Sequence, residues 1–81
     1  MPKVLDKNHY QYDVYVYTRD EHPPAHVHVW LGEKEAVVEI ETGLVRAGTE
    51  FHSRDIKKIL ALIEAHQEQL LAVWDSIFPT R

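Results

Sequence analysis

Three of the six histidines fall close together, as His22-x-x-x-His26-x-His28, and they are the residues of this chain with the clearest chemical potential. Two histidines two apart on a β-strand point to the same face, about 6.6 Å apart at about 3.3 Å per residue, which lets both rings reach one ion. There is no cysteine, so disulfides and thiolate ligation are excluded and a metal would have to be held by imidazole and carboxylate. His22, His26, His28 and Glu39 are then the candidate ligands of a divalent metal such as zinc. Three of them would leave a coordination position open for water, as catalytic zinc sites do.

Two other chemistries use the same residues. His26 or His28 as base, with Arg46 on a phosphate and Tyr15 nearby, is the kind of set that cleaves RNA. Tyr15, Tyr17 and Trp30 beside the histidines can instead anchor a protein interface, which needs no catalyst. The plain alternative is a half-exposed sheet face on which the histidines pair with Glu39 and stack beside Trp30 or Tyr15. His-x-His also arises by chance, and no His-Glu-x-x-His helix accompanies it.

The elements that would position these residues follow from hydrophobic periodicity. Tyr12, Val14 and Val16 alternate with Asp13, Tyr15 and Tyr17, the mark of a strand; residues 1–9 are polar and read as frayed. Thr18 to Pro24 ends in Pro23-Pro24 and reads as a rigid extended loop. Ala25 to Leu31 alternates again. Gly32-Glu33 suits a two-residue type II′ turn, which sets Leu31 opposite Lys34, Val29 opposite Ala36, Val27 opposite Val38 and Ala25 opposite Ile40. On the reverse face it sets Trp30 opposite Glu35, His28 opposite Val37 and His26 opposite Glu39. A slip by one residue would scramble both faces. Thr42-Gly43 makes another turn, and Leu44 to Ala47 a short fourth strand that would complete a row of His26, Glu39 and Arg46.

Ser53 is a suitable N-cap with Asp55 in the first turn, and the pattern predicts one helix from Arg54 to about Ile77. Ile56, Ile59, Leu60, Ile63, Leu70, Trp74 and Ile77 share its apolar face, with Gln67 intruding and His66 at the edge, both expected to be hydrogen-bonded. The fold class is therefore α+β: a three- to four-stranded antiparallel meander over about 12–47, packed on one face by a single long C-terminal helix over about 54–77. With 81 residues there is one domain and one core.

Nine basic and thirteen acidic residues give a net charge of −4, the wrong sign for holding a nucleic acid through bulk charge. No apolar run approaches the roughly 20 residues that span a bilayer, and the polar start does not read as a signal peptide, so a cytoplasmic location is expected.

Pro23-Pro24-Ala25-His26-Val27-His28-Val29, Glu35-Ala36 and the late His66-Gln67-Glu68-Gln69-Leu70-Leu71-Ala72-Val73-Trp74 resemble the domain of unknown function 4160, a family of small bacterial proteins. The resemblance spans roughly residues 12 to 75. The chain departs from the family pattern in Ala25, between Pro24 and His26, and in Leu62, where an aromatic residue is common. The family has no established activity; its members are often encoded beside another small protein, so the resemblance implies a regulatory or toxin–antitoxin-type pair. Together these features predict a non-enzymatic interaction or regulatory module. Its partner, another small protein or a second copy, would meet His26, His28, Trp30, Glu39, Arg46 and Tyr15. The alternative is a metal-binding or RNA-cleaving small enzyme that uses His26 and His28.

Overall fold

The computed structural model describes residues 3–19, 21–46 and 49–79. Four antiparallel strands, β1 (Lys3–Leu5), β2 (Asp13–Tyr15), β3 (His26–Leu31) and β4 (Lys34–Glu39), lie side by side in chain order. A single turn of helix, α1 (Lys7–Tyr10), joins the first two, and α2 (Ser53–Ala65) and α3 (Gln67–Ile77) close the chain. The fold is α+β.

The β3–β4 register pairs Val29 with Ala36, Val27 with Val38, His28 with Val37 and His26 with Glu39, as the alternation requires. Gly32 sits at φ +62° in the connecting turn, a backbone region that glycine enters without steric cost. β2 joins on the other side, with Val14 against Val29 and Tyr15 against His28. Tyr12, Val14, Val16, Val27, Val29, Ala36 and Val38 are all buried.

α2 covers this valine face. Its Ile59 and Ile63 are buried in the same core, and Tyr12, flanked by Phe51 at 5.8 Å between ring centroids, donates its hydroxyl to Asp55 at 2.9 Å. Burial, reinforced by that hydrogen bond to a carboxylate, pushes the Tyr12 phenol up to about 12. An unfolded tyrosine ionises near about 10, so the stabilisation from the neutral phenol is complete below that pH and is lost as pH rises through about 12. Tyr12→Phe should cost about 1 kcal/mol at neutral pH. Its gap in urea midpoint from the wild type should close between those two pH values; a gap that stays constant throughout would contradict the assignment.

Four expectations are corrected. The N-terminal segment is not frayed from residue 3 onward: Lys3–Leu5 is an edge strand, and Asp6 caps α1 by accepting from the Asn8 N–H at 3.2 Å. Leu44–Arg46 is a single bridge rather than a strand, Val38 facing Val45, and the expected strand end at Ala47 and the following Gly48 lie outside the described residues. The helix starts at Ser53 with His52 as its N-cap, and no side chain caps it.

The long helix is also two helices. The His66 ring Nδ1 donates to the Leu62 carbonyl at 3.0 Å, the acceptor that the His66 backbone N–H would use in a continuous helix. That N–H turns to Ile63 instead, and His66 leaves helical geometry at φ −120°, ψ 21°. A side chain inserted into the hydrogen-bond ladder is a recognised cause of a helix break. The break re-aims α3, so that Gln67 donates to the Ile40 carbonyl at the end of β4 and Trp74 reaches His26.

Candidate functional site

The pleat sends the His26 and His28 side chains away from the valine face, and the loop before β3 folds back over them. Both rings converge on one carboxylate. Glu21 Oε2 lies 3.0 Å from His26 Nε2, and Glu21 Oε1 meets His28 Nε2. The other nitrogen of each ring is held from behind: His26 Nδ1 donates to the Pro24 carbonyl at 2.9 Å, and His28 Nδ1 lies 2.9 Å from Glu35 Oε2. The peptide between Pro23 and Pro24 is cis.

Each ring can donate its Nδ1–H to the acceptor behind it, Pro24 or Glu35, which leaves both Nε2 atoms turned to the one Glu21 carboxylate. A cation between Glu21 and the two Nε2 atoms would leave those Nδ1 donors in place. The ligand atoms of Glu21, His26 and His28 lie within 4.8 Å of one another, and zinc bonds of about 2.0–2.1 Å in a tetrahedron separate ligand atoms by about 3.3 Å. Closing onto an ion thus takes shifts of about 1 Å or less.

The surroundings fix the rings. His26 is only 2% exposed, with the buried Trp74 ring 5.0 Å away, and Tyr17 lies 4.3 Å from the His28 ring. Trp30 Nε1 donates to the Tyr17 hydroxyl at 2.8 Å, and burial holds that phenol above its ordinary value, partly offset by the Trp30 N–H. The side chains of Glu21 and His28 each retain 14% exposure, so the cluster opens at the surface on that side.

Of the expected site residues, His26 and His28 are together and Arg46 is beside them, its Nη2 3.4 Å from His26 Nδ1. The others stand elsewhere. Glu39 is opposite His26 along the backbone, but its carboxylate accepts from the Thr42 hydroxyl at 2.9 Å. His22 is exposed and outside the cluster. The bridge at Val45 places Arg46 against Val37, whose carbonyl accepts its N–H, so the row of His26, Glu39 and Arg46 does not form. Tyr15 and Trp30 are half-buried on the sheet, Tyr15 against Tyr17 at 5.7 Å. His26 is buried rather than on the half-exposed face expected for it.

Glu21 and Glu35 were the residues that sequence reasoning missed. Glu35 sits diagonally across the hairpin from His28, within reach of a long side chain, and the register alone could have shown it. Glu21 carried no signal except a carboxylate five residues before His26; only the loop path brings it back.

The arrangement defines a class: a small α+β domain with a two-histidine, one-carboxylate cluster built on one hairpin and the loop before it. The profile of the family described as Domain of unknown function (DUF4160) matches residues 12–75, and the chain belongs to that family. No curated protein and no solved structure matches it. Among the described residues, no helix is long and apolar enough to cross a membrane.

Proposed function

We propose that this domain is a small cytoplasmic regulatory module that binds one divalent cation of the zinc class through Glu21, His26 Nε2 and His28 Nε2. The observation that carries this reading is the support behind the rings. Histidines that ligate metals nearly always donate their second nitrogen to a carbonyl or carboxylate, and here Pro24 and Glu35 accept those two protons. Two imidazoles and a carboxylate are a donor set suited to zinc and its neighbours and a poor one for calcium or magnesium. The ion would fasten the loop carrying Glu21 to the sheet. Its regulatory setting, beside another small protein in a toxin–antitoxin-type pair, is inferred from the family resemblance alone.

Titrating zinc into chelator-stripped protein should show one ion per chain by calorimetry, with the His26 and His28 ring resonances moving together. If those rings do not respond at near-stoichiometric zinc while the fold is intact, the reading fails. Glu35→Ala should leave the ligands in place but weaken zinc binding about 10- to 100-fold, the usual effect of losing an outer-shell partner. Equal affinity in that variant would separate Glu35 from the site.

A further inference from the structure

The end of β4 and the second half of α2 enclose a groove of about 250 Å³ that shares no residue with the histidine cluster. Of the residues lining it, Ile40 and Ile63 are buried and Leu60 is half-buried, whereas Glu41 and Glu64 are exposed carboxylates. Among the described residues, no cation lines it. The turn on one side is held by three hydrogen bonds: the Gly43 N–H donates to the Glu39 carbonyl and the Glu39 N–H to the Leu44 carbonyl, each at 2.9 Å, and the Thr42 hydroxyl accepts from the Leu44 N–H at 3.1 Å. Leu44, one residue beyond the lining Gly43, is 57% exposed, the most exposed large apolar residue among those described. An apolar side chain carried on a turn already fixed in this way loses little freedom when a partner covers it.

We infer that this groove receives a basic amphipathic segment of a partner protein, whose apolar side chains cover Leu60 and Leu44 and whose lysine or arginine heads meet Glu41 and Glu64. Charge selects the occupant. A second copy would bring another chain of net charge −4 against these carboxylates, and a phosphate polymer would add negative charge beside them. A basic segment is attracted by the local pair and by the net charge alike. Long cationic side chains also suit an apolar groove with charge at its edge, because they lay their stems on apolar surface and keep the head in water. The groove does not depend on the cation site, so either can fail without the other.

Amide resonances of the isotopically labelled chain, followed while two synthetic helical peptides are added, test this; the peptides share one leucine stripe and carry either lysine or glutamate elsewhere. The lysine peptide is expected to move residues 40–44 and 60–67 as one patch, and the glutamate peptide to move nothing. Its affinity should fall as salt is raised, because the Debye length shrinks from about 30 Å at about 0.01 M to about 3 Å at about 1 M. Glu41→Gln combined with Glu64→Gln should weaken it about fivefold at low salt and flatten that dependence. Leu44→Ala should weaken it about tenfold, the effect of losing a buried leucine side chain. All three substitutions are at exposed positions, where the fold tolerates them. Equal binding of the two peptides, lysine-peptide shifts centred on another face, or no binding at millimolar peptide would overturn the proposal. So would self-association or polyuridylate binding that moves the same residues, since a second copy or a phosphate polymer would then be the occupant.

Discussion

Trp74→Ala is expected to lower the free energy of unfolding by about 3–5 kcal/mol, the range for truncating a large aromatic in a core. Trp74 has no exposed surface, and its ring packs on His26 at 5.0 Å and on Phe78 at 4.6 Å. At about 0.05–0.15 kcal/mol per residue, a chain of this length has a total stability of about 4–12 kcal/mol, so the variant should lose at least about a quarter of it. The indole nitrogen does not contribute to this loss, because Trp74 Nε1 is buried without a hydrogen-bond partner among the described residues. An unsatisfied buried donor costs about 1–3 kcal/mol, which offsets part of the packing loss in Trp74→Phe. Urea denaturation should therefore place Trp74→Phe much nearer the wild type than Trp74→Ala. Equal losses for the two variants would mean that the nitrogen has a partner and that the packing account is wrong.

Glu21→Ala should have the second largest effect, on stability and cation binding together. One carboxylate serves both Nε2 atoms, and its removal leaves the buried His26 nitrogen facing nothing. Leaving a buried polar group without its partner costs about 1–3 kcal/mol, and because Glu21 serves two rings the upper end, about 3 kcal/mol, is expected. Most of that cost is the stranded ring rather than the lost attraction. Adding His26→Phe to Glu21→Ala should then recover part of the stability, since it replaces the stranded ring with an apolar one of similar shape. Additive losses in that double-mutant cycle would show that Glu21 and His26 are not coupled. Zinc binding should be lost in Glu21→Ala and in the double variant alike.

The sequence showed the sheet best where two constraints coincided. Gly32-Glu33 fixed the turn and the alternation fixed the faces, so every β3–β4 pair could be read in advance. It was weakest where one side chain decides between alternatives of equal propensity. Nothing in periodicity distinguishes a His66 that rides on a helix edge from one whose ring takes the Leu62 carbonyl and breaks the helix. Glu39 had a histidine opposite, but a local hydroxyl three residues on, Thr42, captured it. β1 escaped notice because Val4-Leu5 is too short to show alternation, although Asp6 already carried a helix-cap signal. The meeting of His26 and His28 was legible in the sequence, whereas neither His22 nor Glu39 joins them and Glu21 does. A loop returning through Pro23-Pro24 is a path, and paths do not leave a period in the sequence.

The strands lie in the sheet in the order in which they occur along the chain, and this bears on how quickly the fold can assemble. Each pairing closes a short loop, and the entropic cost of closure grows only with the logarithm of loop length. Sheets built from such local contacts fold faster than those that join distant segments. Glu21, Pro24, His26, His28 and Glu35 all belong to one hairpin and the loop before it. The cluster can therefore come together as soon as that hairpin closes, before either C-terminal helix has docked.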